Sequence, residues 1–128
     1  MKHKILNECL SIAVKYNPKH PEADCYRHYS FIIQRGKIVE WGCNKRSSPL
    51  TFLGFKSYSK MHSEVDAYYK AKGIMQKNES FDVVNIRLSK HGYMKVSTPC
   101  KCCYAFLKNL GCKRIWFTTR VGNFAVIA

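Results

Sequence analysis

Two short segments of the chain have the residue types and spacing of a catalytic zinc site. The first is His62-Ser63-Glu64 and the second is Pro99-Cys100-Lys101-Cys102-Cys103. Two cysteines three positions apart at the start of a helix share one face, and the helix dipole favours the thiolate form that binds zinc. Two thiolates and one neutral imidazole leave the fourth position of tetrahedral zinc to water, which is typical of catalytic sites. We therefore predict that His62, Cys100 and Cys103 hold Zn2+.

Glu64 supplies the carboxylate that hydrolysis at such a site requires. Residues at the spacing of His62 and Glu64 point to nearly opposite sides of a helix, so the pair serves one site only in the entrance turn of a helix. There, Glu64 would take a proton from the attacking water and return protons to a ring nitrogen and to the departing ammonia. The predicted chemistry is hydrolytic removal of an amine from a ring carbon.

A closed structural zinc site is the alternative. Cys102, Cys112 or His91 would then supply a fourth protein ligand, or the histidine would be buried without any metal. Neither alternative accounts for a glutamate two residues after the histidine, or for the proline before the cysteine pair. We interpret the cysteines outside the cluster as small apolar residues of the core, namely Cys9, Cys25, Cys43 and Cys112.

The pattern of apolar residues predicts three helices and five strands around these motifs. Helices are predicted over residues 5–16, 62–72 and 100–110. Strands are predicted over residues 28–34, 37–43, 81–88, 115–119 and 124–127. The order helix, two strands, helix, strand, helix, two strands predicts one α/β domain over residues 1–128, a mixed sheet with helices on both faces.

Positive charge points to a phosphate-bearing partner. Lys and Arg number 22 against 8 Asp and Glu, and the net charge of +14 attracts polyanions. The connection before His62 is long and carries cations that can hold phosphates and aromatic rings that can stack on bases. The alternative is a solvated basic surface over packed aromatic rings. We predict substrate contacts from Lys45, Arg46, Tyr58, Lys60 and Lys101.

The two motifs resemble the H-x-E and P-C-x-x-C signature of the cytidine and deoxycytidylate deaminase superfamily. The similarity extends from the predicted hairpin at His28 to the last strands, with the motifs in the family's order and separation. It implies a cytidine-deaminase-like three-layer α/β fold, a five-stranded mixed sheet between helices, and zinc as the cofactor. It also implies that Asn44 lies beside the sugar of the target nucleotide, whereas the sequence alone equally fits a turn residue at a strand end.

Departures from the family pattern bear on the substrate. Free cytidine deaminases usually have cysteine in place of His62 and a sugar-binding glutamate where this chain has Arg46, which argues against a nucleoside. The tRNA adenosine deaminases and the AID/APOBEC group share the histidine but have a helix between the last two strands. Here the chain turns back within residues 120–123, so the subfamily stays open.

Three functions remain in order of preference. The first is conversion of cytosine to uracil in single-stranded DNA or RNA, because a duplex would require base flipping. The second is a deaminase of a free nucleotide such as dCMP or CMP, and the third is a noncatalytic zinc-stabilised nucleic-acid-binding module. Adenine stays open as the target, since the same zinc chemistry serves both rings.

Cysteine usage predicts a reducing location. Seven cysteines are an odd number and form no paired framework, while Asn7 and Glu8 interrupt the apolar residues near the start. We expect a cytoplasmic, intracellular protein with no membrane partner. Apolar sheet edges or helix faces would serve a homo-oligomer, whose state the sequence leaves open.

Overall fold

A computed structural model describes residues 1–20, 27–46 and 60–128. Its three α-helices are α1 (His3–Tyr16), α2 (Ser63–Ala71) and α3 (Lys101–Asn109), and a 3-10 turn (Asn17–Lys19) follows α1. These bounds agree with the predicted helices to within two residues. Both later helices start one residue after the prediction because His62 and Cys100 are extended N-cap residues.

The strands form one mixed sheet and one small pair. They are β1 (Arg27–Gln34), β2 (Lys37–Cys43), β3 (Lys45–Arg46), β4 (Lys60–Met61), β5 (Phe81–Leu88), β6 (Met94–Lys95), β7 (Cys112–Thr118) and β8 (Phe124–Ile127). The main sheet has the order β2-β1-β5-β7-β8, with β6 also paired to β5. Strands β5 and β7 are parallel and the other pairs are antiparallel. The predicted α/β mixed sheet is therefore confirmed.

The strand count is corrected from five to six. Short strand β6 pairs Arg87 with Lys95 and Leu88 with Met94, beyond the last β5–β7 pair at Asn85 and Phe117. It occupies hydrogen-bonding positions of β5 that β7 does not reach. Two residues are too few to produce an alternating pattern, so this strand could not be predicted from the sequence. The separate β3–β4 pair is equally short and was also not predicted.

Apolar residues cover both faces of the sheet, because successive strand residues point to opposite faces. Helix α1 packs on one face against residues that include Tyr29, Phe31 and Ile86. Helices α2 and α3 pack on the other face, where Ile32 and Val83 lie against helical residues. This arrangement has three layers. The described cysteines of the two cores are Cys9, Cys43 and Cys112.

Close packing of α2 on β2 fixes the start of that helix. A Cβ atom on Gly42 would lie 2.5 Å from Asp66 Oδ2 and 2.6 Å from the backbone nitrogen of Ala67. The backbone N–H of Cys43 donates to the same Asp66 Oδ2 at 3.1 Å. Helix α2 can approach β2 this closely only because residue 42 has no side chain.

Within the described ranges, no helix has both the length and the apolar character needed to cross a bilayer.

Candidate active site

The starts of α2 and α3 bring the three predicted metal ligands together. The ligand atoms of His62, Cys100 and Cys103 all lie within 4.8 Å of one another. Nδ1 of His62 is 3.2 Å from Sγ of Cys103 and 3.7 Å from Sγ of Cys100. Tetrahedral zinc, with Zn–N bonds of about 2.0 Å and Zn–S bonds of about 2.3 Å, separates its nitrogen and sulfur ligands by roughly 3.5 Å. The three side chains therefore fit a zinc ion in both spacing and chemistry.

The two thiols differ in their protonation. Hydrogen bonds from Cys103 and His62 lower the pKa of Cys100 to about 4, despite an opposing effect of burial. The backbone N–H of Cys103 also donates to Cys100 Sγ at 3.4 Å. The hydrogen bond to Cys100, together with burial, raises the pKa of Cys103. One thiolate is thus formed before a metal arrives, and binding a metal would release the proton held by Cys103.

The alternative fourth ligands lie outside this cluster. Among the residues that the structure describes, His62, Cys100 and Cys103 are the ones whose ligand atoms lie close enough together to hold one metal ion. Cys112 is buried at the start of β7 and its thiol donates to the backbone oxygen of Arg114. Cys102 is exposed on α3. This part of the chain supplies three ligands, which is the pattern of an open zinc site.

Glu64 is buried beside the cluster and its two carboxylate oxygens have different partners. Ser63 Oγ donates to Oε1 at 3.2 Å, and Asn85 Nδ2 donates to Oε2 at 3.2 Å. Burial raises the pKa of the Glu64 carboxyl. A pKa moved toward neutrality suits a group that both accepts and donates protons during one reaction.

Ser30 closes a ring of hydrogen bonds around this carboxyl. Its Oγ lies 2.7 Å from Ser63 Oγ and donates to Asn85 Oδ1 at 2.7 Å. The ring has four contacts, and two of them are donated to the carboxyl oxygens. Burial has the largest effect on the pKa of Glu64 and raises it, whereas the hydrogen bond from Ser63 lowers it.

The sequence interpretation missed Ser30 and Asn85, although both carry a signal. They are buried polar residues in strands that are otherwise rich in apolar residues. They also pair directly across β1 and β5, and Gly42 pairs with Ser30 on the other side. Small or polar residues thus form one row across three strands below the start of α2.

His28 is a further site residue that the sequence did not single out. It pairs with Arg87 in the next row of the sheet and lies close enough to His62 to be affected by its charge. Burial, followed by the charges of Arg87 and His62, lowers the pKa of His28 to about 4. The imidazole is therefore neutral at neutral pH.

The predicted substrate residues lie near the cluster to different degrees. Strands β3 and β4 pair Lys45 with Met61 and Arg46 with Lys60, so the ends of the long connection meet next to His62. Lys101 is the exposed first residue of α3, directly after Cys100. Tyr58 lies outside the described residues. Contacts of these side chains with substrate stay predictions.

Asn44 has a structural role at the end of β2. Its Oδ1 accepts a hydrogen bond from the backbone N–H of His28 at 2.8 Å and lies 2.8 Å from His20 Nε2. These contacts are those of a strand-end residue. A contact between Asn44 and a sugar stays a prediction.

Comparison with solved structures reveals the same architecture in cytidine deaminases and a dCMP deaminase. A cytidine deaminase from Burkholderia pseudomallei has a TM-score of 0.67 at 18% identity, over 100% of this chain and 93% of that chain. The apo dCMP deaminase from the cyanophage S-TIM5 has a TM-score of 0.65 at 16% identity, over 93% and 86% of the two chains. A cytidine deaminase from Mycobacterium leprae has a TM-score of 0.61 at 13% identity, over 94% and 92%.

No protein-family model and no curated protein matches the chain. The fold expected from the two motifs is nevertheless confirmed by the solved structures. This chain has the fold of the cytidine and deoxycytidylate deaminases.

Proposed function

We propose that the protein is a zinc-dependent hydrolytic deaminase of a nucleobase. One observation carries this proposal: a three-member His62, Cys100 and Cys103 cluster adjoins a buried Glu64 whose two carboxyl oxygens accept hydrogen bonds from Ser63 and Asn85. A site built only to stabilise the fold has no need for such a carboxyl. The fold shared with cytidine and dCMP deaminase structures adds support.

Zinc bound by these three residues would supply Lewis-acid activation of water. Glu64 takes a proton from the attacking water and passes it to the ring nitrogen of the base. It then takes the second proton of that water from the hydroxyl now on the ring carbon and delivers it to the amine, which leaves as ammonia while the carbonyl forms. One carboxyl thus serves as base and as acid in turn. Ser63 and Asn85 hold the two carboxyl oxygens in place during these transfers.

Cytosine in single-stranded DNA or RNA is the proposed substrate. The net charge of +14 exceeds what one phosphate requires. The connection that carries Lys45, Arg46 and Lys60 starts and ends beside His62. A nucleic-acid strand that enters the site would pass these residues. Cytosine in a single strand is accessible without the energy cost of flipping a base out of a duplex.

A free nucleotide is the second candidate. The observation that favours it is the similarity of fold to the S-TIM5 dCMP deaminase, which has also been solved in complex with dCMP and dUMP. Arg46 or a lysine of the same connection would then bind the single phosphate.

The test compares zinc-loaded protein with its Glu64→Gln variant. Single-stranded DNA, RNA, tRNA, cytidine, CMP and dCMP are each incubated with both, and ammonia release and base conversion are measured. We expect conversion of the polynucleotides and a loss of about 10²-fold or more in Glu64→Gln. Zinc content of the two proteins serves as the control.

Each other outcome has a distinct meaning. Conversion of the monomers alone would overturn the polynucleotide substrate and favour the nucleotide enzyme. Absence of ammonia from every substrate, adenosine forms included, would overturn the deaminase and favour a binding module.

A further inference from the structure

A second concave feature lies at the same end of the sheet as the candidate zinc site. It is a cavity of about 380 Å³ between the end of β5, strand β6 and Arg120. Its described lining consists of Arg87, Met94, Lys95, Val96 and Arg120. This volume falls within the range of small-molecule sites. We call it the β6 cavity.

The β6 cavity adjoins the site through Arg87. Arg87 and Asn85 are two residues apart on β5, so their side chains leave the same face of the sheet and their Cα atoms are separated by roughly 7 Å. Asn85 contacts Glu64, and Arg87 pairs with His28 across β1 and β5. Val96 lies four residues before Cys100 in the sequence. The cavity is therefore a neighbour of the reacting centre.

The cavity is strongly positive. Three of its five described lining residues are cationic, and none of the five is acidic. Arg87 is half-buried, while Lys95 and Arg120 are exposed, so the charge continues from the interior to the rim. A cationic recess with apolar walls strengthens attraction to an anion relative to a flat surface, because less water screens the charges.

The frame of the cavity is held by buried hydrogen bonds. Arg87 Nη1 donates to the backbone oxygen of Val96 at 3.3 Å, which orients the guanidinium group. Thr118 Oγ1 donates to the backbone oxygen of Lys95 at 2.6 Å, and the backbone N–H of Thr118 donates to Ser97 Oγ at 2.7 Å. Both Thr118 and Ser97 are buried. These hydrogen bonds fix the cavity wall and the orientation of Arg87, whose planar guanidinium group suits the oxygens of a phosphate.

We infer that the β6 cavity binds a phosphate group of the substrate, with Arg87 as its inner donor and Lys95 and Arg120 as its rim. This inference rests on the proposed function and deepens it, because it makes the substrate a phosphorylated one. The phosphate is either the one carried by the target nucleotide itself or one from the flanking strand.

The experiment measures binding in the Glu64→Gln background, so that no substrate is consumed. Ligands are deoxycytidine, dCMP, inorganic phosphate and a single-stranded oligodeoxynucleotide with one cytosine. The site variants are Arg87→Gln and the double variant Lys95→Gln/Arg120→Gln, whose positions are exposed and tolerate substitution. The matched control is Lys113→Gln/Arg114→Gln, which removes the same charge beside a basic cavity at the opposite end of the sheet.

The site variants are expected to weaken phosphate-dependent binding about tenfold or more, as loss of a charged hydrogen bond does. If the nucleotide's own phosphate occupies the cavity, dCMP is affected and deoxycytidine is not. If a flanking phosphate does, the oligonucleotide loses affinity while dCMP does not, and the salt slope falls by about 0.7 for each lost contact. The control is expected to change affinity less than the site variants.

Equal losses in the site and control variants would overturn the inference, as would unchanged binding of every phosphorylated ligand. Folding of Arg87→Gln is checked by thermal unfolding, and Arg87→Lys retains the charge if the glutamine variant unfolds. The proposed function fails separately, by absence of ammonia from protein with Glu64 intact. Phosphate-dependent binding without ammonia would therefore keep the cavity and reject the deaminase, whereas ammonia release with insensitive binding would do the reverse.

Discussion

The carboxyl of Glu64 is surrounded by side chains that lie far apart in the sequence. Ser30 comes from β1, Asn85 from β5 and Ser63 from the same helix as the glutamate. None of the three is a metal ligand or a typical proton carrier at neutral pH. Their contribution is to hold one carboxyl in one orientation.

Asn85→Ala is expected to lower kcat about tenfold to a hundredfold with little change in KM, because a misplaced acid–base group slows proton transfer without weakening substrate binding. Steady-state kinetics on the converted substrate measures both constants. Ser89→Ala is the matched control, since its hydroxyl accepts hydrogen bonds from the backbone of an exposed turn. A raised KM at unchanged kcat would instead assign Asn85 to substrate binding.

Cysteine reactivity is expected to follow burial and metal binding. With zinc bound, iodoacetamide should modify exposed Cys102, while Cys100 becomes reactive after chelation because the pKa of its thiol is lowered to about 4. Burial raises the pKa of Cys9 and of Cys112 to about 12, so both should react only after unfolding. Peptide mass spectrometry resolves each position. Rapid labelling of Cys100 in the zinc-loaded protein would argue against its role as a ligand.

At the scale of elements, the start of α2 carries both His62 and Glu64. The position of this helix on the sheet therefore determines where the two side chains lie. The helix starts above the row formed by Gly42, Ser30 and Asn85. Gly42 permits the close approach and the two polar residues meet the glutamate. The position of one helix thus links the packing of β2 to the geometry of the metal site.

Gly42→Ala is expected to destabilise the protein by roughly 1–3 kcal/mol, because its new methyl group overlaps backbone atoms of α2. Zinc affinity should fall as well, since α2 must shift. Gly73→Ala is the control, because nothing lies within 4 Å of its added Cβ. Chemical denaturation and metal titration measure the two effects, and equal stability of the two variants would contradict the prediction.

The helices, the principal strands and the grouping of His62, Cys100 and Cys103 were predictable because each depends on local patterns. His62 and Glu64 form one local motif and Cys100 and Cys103 another, and both lie at helix starts that the sequence marks. The Ser30–Asn85 pair was not predictable, because it depends on the register between β1 and β5. A shift of one residue would turn Asn85 to the opposite face. The β6 cavity was hidden for a related reason, since β6 has only two residues.

For the whole molecule, the metal would join two helix starts that are separated in the chain by strands β5 and β6. His62 precedes α2, while Cys100 and Cys103 belong to the start of α3. Without a metal, the contacts among these three side chains and the hydrogen bonds around the Glu64 carboxyl stabilise this end of the α2–α3 layer. A ligand that binds only the folded chain adds its binding free energy to stability.

Removal of zinc is therefore expected to lower the melting temperature by about 5 °C or more. Differential scanning calorimetry with and without a chelator measures the shift. Glu64→Gln should keep this dependence on zinc, whereas Cys103→Ser should lose most of it. An unchanged melting temperature after verified metal removal would count against a resident metal.

The pairing of β3 with β4 has a consequence for how substrate preference could change. The two ends of the intervening connection pair with each other immediately before His62. Exchange of residues 47–59, or a change in their number, is therefore expected to leave the β3–β4 pair and His62 in place. A library randomised over this stretch alone would be a practical starting point for redirecting the proposed deaminase toward other substrates.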